Sequence, residues 1–449
     1  MASESFSRRQ FLKGLTATSA GALVLSACAA PAAAPAAEAP SESAAQPEAV
    51  TIRALWSPGG IDNYMRALID LYKEQEPNVE FEITVIEQEQ KRATEVTIMS
   101  NDGAPDFAWI NFGSGLTDRL ADAGVITPLN DYYEQYGWWD YLPDHLHTHE
   151  YNDQIYHFSV ASVTVPLMWY NKSLMAQIGM DPPTTMEELY GWADACHAND
   201  LEALAMGDRD GWPGFHMYQC LATRTVPLED YEKILRFDKE EYYMGDYPGF
   251  EEAFQVMRDM ETERVWAKGV LDMNDDQAKG LLFNGQAVAY ESGIWVSGQA
   301  REALGENSSF FMFPQIKDDI PFPLTASYAD EYMLSSFSKV KDEVAAFFNF
   351  VLSKDGQKIV AKIGGGMPIR TDITVADLEG YADSTVGEVT EMFGSGEFPV
   401  TDEIVTFWPA ELYAMLRNNV QAAIGGQKTP AEIVAEFDEL AAKFRAGEA

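Results

Sequence analysis

The sequence predicts an α/β protein in which a globular body of two domains follows a short leader and a linker. After residue 49, segments with a strand pattern alternate with segments of helical periodicity, and this order predicts a mainly parallel sheet with helices on both faces. A body of about 400 residues is long enough for two domains. Hydrophobic residues make up 46% of the chain, and the body has no apolar run of about 18 residues, so we expect it to be water-soluble.

The first predicted elements of the body follow one another in a βαβαβ order. They are strand Val50–Trp56, a helix with Tyr64, Leu68, Ile69 and Tyr72 on its apolar face, strand Val79–Ile86, a helix around Ala93–Ser100, and strand Asp106–Ile110. Parallel sheets bind ligands beyond the carboxyl ends of their strands. The residues at or just after those ends are therefore the first candidates for ligand contact, namely Trp56, Ser57, Glu87 and Asn111.

The first 49 residues carry an export pattern. Ser7–Lys13 contains a twin-arginine pair, and the apolar stretch Leu15–Ala27 is too short to span a bilayer. This stretch leads to Cys28 in a sequence that resembles the cleavage site of bacterial lipoproteins, so we expect residues 1–28 to be a signal peptide and Cys28 to be acylated. Residues 29–49 are mostly Ala, Pro, Glu and Ser and are expected to form a disordered linker. The mature protein would then be anchored by lipid at the periplasmic or extracellular face of the cell membrane.

The charge and the cysteine content narrow the possible functions. The chain has 71 acidic and 31 basic residues and a net charge of -40, which excludes nucleic-acid binding because no basic surface is available for phosphates. Cys196 and Cys220 are the cysteines of the body, and in an exported protein they could form a disulfide. A twin-arginine substrate folds in the reducing cytosol, however, and this favours two buried thiols.

Several local motifs occur in the order found in one family of transport proteins. In chain order they are Ala104-Pro105-Asp106, Gly124–Leu129, Pro166–Leu174, Gly179–Leu189, Phe283–Tyr290 with Gly293–Trp295, Ser338-Lys339, and Met367–Arg370. With these motifs the chain resembles the family 1 extracellular solute-binding proteins of ABC importers, from about residue 50 to the end. Met186 stands where the family usually has tryptophan. No single motif is specific, but their shared order supports the resemblance.

The resemblance implies a two-lobed periplasmic-binding-protein fold of the type II class. Its two mixed or parallel sheets would be flanked by helices, with a hinge between the lobes and the ligand in the cleft. The expected segments are residues 50–160 and 308–354 for the N-terminal lobe, residues 166–300 and 359–449 for the C-terminal lobe, and crossings near Ser159–Val165, near Gly298–Ser308 and after Ser353.

The resemblance also implies a function. The protein would bind a carbohydrate, either a monosaccharide or an oligosaccharide, and deliver it as a monomer, without a cofactor, to the permease subunits of an ABC importer. We expect no enzymatic activity, because the sequence contains no nucleophile elbow, phosphate-binding loop or zinc-protease helix. A receptor for a polyamine, a glycerol phosphate or a metal is the alternative.

Aromatic residues are the first candidates for sugar contact, because sugar sites combine aromatic platforms with polar groups that form paired hydrogen bonds. Trp295 matches the cleft tryptophan of the family, and Trp212 lies in the polar run Gly207–Gly214. Trp56 ends the first strand, and Trp408 resembles another ligand aromatic of the family. For these last two, packing in a core is an equally good interpretation.

Polar candidates come from two further segments. Tyr328, Asp330 and Glu331 lie in one loop-like run, at a point where relatives often have a glycine pair. The two carboxylates would contact sugar hydroxyls, a cationic group or solvent. Arg370 ends the last motif and would either contact the ligand or form a salt bridge between segments.

A histidine cluster needs separate interpretation. His145, His147 and His149 would share one face of an extended segment and could bind zinc or copper. They would lie about 6.6 Å apart along a strand, however, and their spacing matches no standard zinc pattern. We therefore predict an exposed cluster and no metal site.

Overall fold

The computed structural model describes residues 49–110, 116–237, 242–327, 330–363, 366–378 and 385–448. The internal contacts of the chain separate residues 1–47 from a unit of residues 48–449, and this unit holds every described residue. The expected signal peptide, Cys28 and nearly all of the expected linker lie outside the described residues. In the part of the chain that is described, no helix is long and apolar enough to cross a membrane.

The described strands form three sheets. They are β1 (Val50–Trp56), β2 (Val79–Val85), β3 (Phe107–Trp109), β4 (His157–Ser159), β5 (Ala161–Thr164), β6 (Leu167–Asn171), β7 (Glu202–Ala205), β8 (Ala287–Ser292), β9 (Ser308–Phe311), β10 (Leu324–Ser327), β11 (Glu331–Leu334), β12 (Met367–Pro368) and β13 (Val400–Thr401). The strand order is β2-β1-β3-β11-β4 in the first sheet, β7-β8-β6-β9 in the second sheet, and β12-β5-β10-β13 in a third, which we call the connecting sheet.

The described α-helices pack around these sheets. They are α1 (Gly60–Gln75), α2 (Gln88–Met99), α3 (Leu116–Asp122), α4 (Asn130–Tyr136), α5 (Lys172–Ile178), α6 (Met186–Ala198), α7 (Trp212–Thr225), α8 (Leu228–Leu235), α9 (Pro248–Thr262), α10 (Asp275–Phe283), α11 (Ser297–Leu304), α12 (Lys341–Val351), α13 (Lys354–Ile363), α14 (Thr385–Ser395), α15 (Ala410–Ile424) and α16 (Pro430–Ala446).

The first sheet follows the βαβαβ order that the sequence predicts. β1 pairs in parallel with β2 along its whole length and with β3 on its other side. The apolar face of α1 packs Tyr64, Leu68 and Tyr72 into one core with Phe107 of β3. β11 is antiparallel to both β3 and β4, so the sheet is mixed. The second helix begins at Gln88, five residues before its predicted start, and the second and third strands each end one residue early.

The second sheet shares a core with the C-terminal helices. β7 is parallel to β8, whereas β6 is antiparallel to β8 and β9. Buried residues of α6, α9, α15 and α16 pack together in this core. Cys196 and Cys220 lie in the same core as free thiols, which confirms the interpretation that the reducing cytosol favours.

Two strands of the connecting sheet join the first sheet to the second. β5 follows β4 after one residue and lies within the expected crossing Ser159–Val165, and β10 is antiparallel to β5. The expected crossing at 298–308 is wrong, because this stretch forms α11 and the start of β9, which pairs with β6. The N-terminal lobe also continues beyond its expected end near Ser353. The helix that follows, α13, packs against α1 in the core of the first sheet.

The histidine segment is helical and not extended. Asp144–His149 forms a 3₁₀ helix that begins after Pro143. Residues three apart lie on the same side of such a helix, so His149 is buried on the same side as Leu146. His147 is exposed, and its ring stacks on that of Trp139 with the ring centroids 4.1 Å apart. The prediction of a row of exposed histidines is therefore wrong for His149.

Candidate functional site

The strand directions bring the carboxyl ends of both sheets to the connecting strands. β4 has the same direction as β3, because both are antiparallel to β11, and it leads directly into β5 at the carboxyl end of the first sheet. β5 leads to Leu167 at the start of β6, which pairs with Ser292 at the end of β8. The parallel strands β7 and β8 end at this same edge. The region between the two carboxyl edges, bordered by β5 and β10, is the candidate ligand site, and we call it the cleft.

Two predicted tryptophans meet at the carboxyl edge of the second sheet. Trp212 is the first residue of α7, which follows β7, and Trp295 lies in the 3₁₀ turn that follows β8. Their ring centroids are 6.1 Å apart and the ring planes are inclined by 58°. Both side chains are half-buried. The pair offers an apolar aromatic surface of the kind that packs against the C–H faces of a sugar.

The Trp295 ring lies directly against Gly293. A Cβ atom added at Gly293 would lie 2.1 Å from Cζ3 of Trp295, so only glycine allows the ring this position. The carbonyl of Gly293 accepts a hydrogen bond of 3.1 Å from Nε1 of Trp169, a buried residue of β6. The backbone under the Trp295 ring is therefore anchored to the second sheet.

His216 and Glu403 are polar members of the same cluster that sequence reasoning missed. The His216 ring centroid lies 5.4 Å from that of Trp212 and 5.9 Å from that of Trp295. Nε2 of His216 is 3.7 Å from Oε1 of Glu403. The position of His216 four residues after Trp212 on α7 was a signal in the sequence. Glu403 gave no signal, because it comes from a distant part of the chain.

Asp208 holds the start of the helix that carries Trp212 and His216. Its Oδ1 accepts a hydrogen bond of 2.7 Å from the N–H of Gly214 in the first turn of α7. An added Cβ at Gly214 would lie 2.4 Å from Oδ2 of Asp208, so this close contact also requires glycine. Asp208 is fully buried, and burial raises the pKa of its carboxyl group to about 7.

Two other buried carboxyl groups, those of Asp275 and Glu291, also have raised pKa values. Burial raises the pKa of Asp275 to about 6, although the hydroxyl of Tyr290 donates a hydrogen bond that acts in the opposite direction. Burial raises the pKa of Glu291 well above its ordinary value, and the charges of Asp275 and Asp208 raise it further. Neither carboxyl oxygen of Glu291 has a hydrogen-bond partner among the described residues. Burial and the neighbouring carboxylates therefore favour the protonated form of Glu291.

These raised pKa values predict that the buried carboxyl groups contribute less to stability as the pH rises. Between about pH 4 and pH 7 the folded state keeps a proton on Asp208 that the unfolded chain, with the ordinary pKa of 3.8, has already released. The contribution of Asp208 to the free energy of unfolding therefore falls as the pH rises through this window, by up to about 4 kcal/mol. Asp208→Asn keeps an acceptor oxygen for Gly214 but does not titrate, so we expect the unfolding free energy of this variant to depend less on pH.

Urea unfolding at several pH values from about 4 to 8 measures this difference. Asp276→Asn is the matched control, since it removes one negative charge from a side chain that is 80% exposed. We expect the control to follow the wild-type pH dependence. If the unfolding free energies of wild type and Asp208→Asn changed equally with pH, the prediction would be contradicted.

The carboxyl edge of the first sheet gathers the polar candidates. Ser57 is buried directly after β1, and its hydroxyl has no hydrogen-bond partner in the described part of the chain. Glu87 is exposed between β2 and α2. Asp330 and Glu331 lie at the start of β11, and the Glu331 carbonyl accepts a hydrogen bond of 2.9 Å from the N–H of Ile110. The structure therefore brings these predicted residues to one edge.

Asp330 and Glu331 both point into the lobe. Asp330 has a φ of 61°, a left-handed conformation that is uncommon for residues other than glycine. Its carboxyl group is hydrogen-bonded to Tyr64, and burial raises its pKa to about 7. Oε1 of Glu331 lies 2.9 Å from Nδ1 of His149. Neither carboxyl group faces solvent.

Lys91 is a buried charge at the same edge that sequence reasoning missed. Its Nζ donates hydrogen bonds to the carbonyl of Trp109 at 2.9 Å and to Glu95 at 3.0 Å. Nζ also lies 4.4 Å from the ring centroid of Trp109, a cation–π contact. Because α2 is polar along most of its length, the burial of one lysine left no pattern in the sequence.

Two of the predicted tryptophans lie in cores and not at the cleft. Trp56 is 0% exposed, and its Nε1 donates a hydrogen bond of 2.9 Å to Asp62. Trp408 is 1% exposed, and its Nε1 donates a hydrogen bond of 3.0 Å to the carbonyl of Ile234. For both residues the packing alternative fits the structure better than ligand contact.

Arg370 forms a salt bridge, but with a neighbour in its own segment and not between segments as the alternative to ligand contact required. Its Nε and one terminal nitrogen each donate to Asp372 at 2.7 Å, and its other terminal nitrogen donates to the carbonyl of Leu352 at 2.9 Å. The guanidinium also lies 3.5 Å from the ring centroid of Tyr141. Two further candidates, Asn111 and Tyr328, lie outside the described residues.

The two sheets, the strands that connect them and the aromatic pair at one carboxyl edge define a two-lobed solute-binding protein. The family model for the bacterial extracellular solute-binding proteins matches residues 57–358 of the chain. This chain belongs to that family, whose members are substrate receptors.

Individual proteins are similar to the chain over most of its length. The xylose/arabinose-binding protein XacG of Haloferax volcanii is 20% identical over 348 residues, which is 75% of this chain and 72% of that protein. Among solved structures, a chitin oligosaccharide binding protein superposes with a TM-score of 0.76 at 19% identity, covering 89% of this chain and 99% of the other. Maltose-bound MalE3 of T. maritima superposes with a TM-score of 0.72 at 17% identity, covering 88% of this chain and 100% of the other. These structural likenesses show the two-lobed fold.

Proposed function

We propose that this protein is the substrate-binding component of an ABC importer and that it binds a carbohydrate, either a monosaccharide or an oligosaccharide, in the cleft. The observation that carries the proposal is the half-buried pair Trp212 and Trp295 at the carboxyl edge of the second sheet. Aromatic rings with polar groups at their rim are suited to sugars. The names of relatives, which refer to xylose and arabinose or to chitin oligosaccharides, support the same ligand class.

In this proposal each lobe supplies a different part of the site. A sugar ring packs against Trp212 and Trp295, and its hydroxyl groups form hydrogen bonds with His216 and Glu403 at the same edge. Ser57 and Glu87 at the other edge bind the hydroxyl groups that face the first lobe. Bending of β5 and β10 brings the two edges together over the ligand, so high affinity requires both lobes.

A polyamine receptor and a glycerol phosphate receptor fit the contacts less well. The two carboxyl groups that the sequence suggested for a polyamine are held by other side chains, since Asp330 is bonded to Tyr64 and Glu331 to His149. A glycerol phosphate needs basic groups in the cleft, and Arg370 is already held by a carboxylate. These contacts favour the carbohydrate.

We also propose that the protein is exported by the twin-arginine route and anchored through Cys28, with residues 29–49 as a tether. The arginine pair Arg8-Arg9 and the lipoprotein-like sequence that ends at Cys28 support this proposal. Mass spectrometry of the mature N-terminal peptide tests it. A diacylated cysteine is the expected result, and an unmodified peptide that retains residues before Cys28 would contradict it.

A thermal-shift screen of residues 50–449 tests the proposed function. A ligand that binds only the folded state raises its stability by RT ln(1 + [L]/Kd), so the cognate solute raises the melting temperature. We expect a shift with one series of monosaccharides or oligosaccharides, and no product when the same sugars are incubated with the protein. A shift with polyamines or glycerol phosphates alone would replace the carbohydrate proposal, and a hydrolysis product would contradict binding without catalysis.

A further inference from the structure

Three buried side chains converge inside the first lobe, behind the carboxyl edge of its sheet. Nδ1 of His149 lies 2.9 Å from Oε1 of Glu331, and Nε2 of His157 lies 3.3 Å from the same oxygen. One donor atom from each of the three residues lies within 4.8 Å of the other two. The side chains are 4%, 0% and 2% exposed for His149, His157 and Glu331, respectively.

Two neighbouring strands and one helical turn create this arrangement. In the antiparallel pairing of β4 and β11, Glu331 is opposite Ser159 and Met333 is opposite His157. Glu331 and His157 therefore lie diagonally on one face of the sheet, where side chains are within reach of each other. His149 comes from the 3₁₀ helix that precedes β4, and the turn that buries Leu146 also points His149 toward this face.

We propose that His149, His157 and Glu331 form a structural zinc site in the first lobe, separate from the cleft. Two imidazoles and one carboxylate are a donor set that zinc accepts, usually in tetrahedral geometry. An ion about 2.0–2.1 Å from each donor places tetrahedral donor atoms about 3.3 Å apart. The two separations from Oε1 of Glu331 are 2.9 and 3.3 Å, and all three donor atoms lie within 4.8 Å of one another. A water molecule would complete the coordination.

The surroundings of the three donors are compatible with a cation. The two imidazoles are buried and each directs one ring nitrogen at the same oxygen of Glu331, so three donor atoms surround one point in the core. The chain carries a net charge of -40, which concentrates divalent cations around it. The same charge predicts weak zinc binding to surface carboxylates, so a test must separate such binding from the buried site.

The position of the site indicates what the ion would do. It would join three segments that meet in the first lobe: the 3₁₀ helix Asp144–His149, the edge strand β4 and the start of β11. β4 leads directly into the crossing strand β5, and Asp330 immediately precedes Glu331. Zinc would therefore stabilise the first lobe next to the hinge without contact with the aromatic pair at the other edge.

Zinc analysis of the mature protein tests the proposal without a substitution. The protein is dialysed against a chelator, freed of the chelator, and titrated with Zn²⁺ by calorimetry in an excess of Mg²⁺ that occupies surface carboxylates. We expect one zinc ion per chain and a higher melting temperature in the presence of zinc. Absence of zinc binding under these conditions would overturn the proposal and leave a hydrogen-bonded histidine–glutamate cluster.

Variants then assign the bound ion to these donors. His157→Gln and Glu331→Gln each remove one donor, and we expect the Kd for zinc to rise by more than about tenfold, since loss of an outer-shell partner alone costs that much. His147→Gln is the matched control, because His147 lies on the same 3₁₀ helix but is exposed. Circular dichroism of each variant checks its folding. Equal zinc affinity in all folded variants would overturn the assignment, and if neither donor variant folds, His149→Gln at the rim of the cluster decides by the same titration.

Discussion

Trp295→Ala is expected to abolish the stabilisation that a bound carbohydrate gives, while the unliganded protein keeps nearly its wild-type melting temperature. Trp295 is half-buried at the cleft, so its ring contributes more to a ligand contact than to the core. Loss of a central aromatic contact typically costs at least about 2 kcal/mol, or roughly 30-fold in affinity. Melting curves with and without the sugar that the screen identifies measure both effects. A large fall in unliganded melting temperature would show that Trp295 is mainly a core residue.

Gly293→Ala offers a second way to disturb the same ring without removing it. The backbone at Gly293 is extended, with φ -87° and ψ -178°, so alanine is allowed there. The new Cβ would lie 2.1 Å from Cζ3 of Trp295, so the ring must move. We expect weaker sugar binding. Gly191→Ala is the control, because its added Cβ meets open space, and equal sugar affinity in both variants would show that the ring position does not matter.

The parts of the fold that depend on local periodicity could be predicted from the sequence. The alternation in Val50–Trp56 and the helical spacing of Tyr64, Leu68 and Tyr72 predicted β1 and α1 correctly. The crossing at 298–308 could not be predicted in this way. The strand Ser308–Phe311 belongs to the second sheet only because it pairs with β6, and such pairing between distant segments leaves no local pattern.

The candidate site was predictable where it depends on strand ends and unpredictable where it depends on packing. Trp212 and Trp295 meet because the strands before them are parallel, which the rule for carboxyl ends anticipates. Trp408 is also a tryptophan, and it lies in a motif that resembles a ligand-binding segment of the family. Nothing in its local sequence, however, distinguishes a core position from a ligand contact. His149 became interpretable only when the fold placed His157 beside it.

Trp408→Ala is expected to give the opposite result to Trp295→Ala. Trp408 is 1% exposed, its ring centroid lies 4.6 Å from that of Phe437, and its Nε1 donates a hydrogen bond to the carbonyl of Ile234. Truncation of a buried tryptophan leaves a cavity and typically costs about 3 to 5 kcal/mol of the free energy of unfolding. We therefore expect a lower urea midpoint with an unchanged slope, while the folded variant still binds the sugar.

Trp408→Phe separates the cavity from the hydrogen bond. Phenylalanine refills most of the space but removes the Nε1 donor, while the carbonyl of Ile234 keeps its hydrogen bond of 3.3 Å from the N–H of Phe237. We therefore expect a smaller loss, of about 0.5 to 1.5 kcal/mol. The ligand-induced rise in melting temperature should survive in both variants, because neither changes the carboxyl edge that carries Trp212 and Trp295. Loss of that rise together with a wild-type urea midpoint would instead place Trp408 in the binding site, and the aromatic surface of the cleft would then extend to the segment before α15.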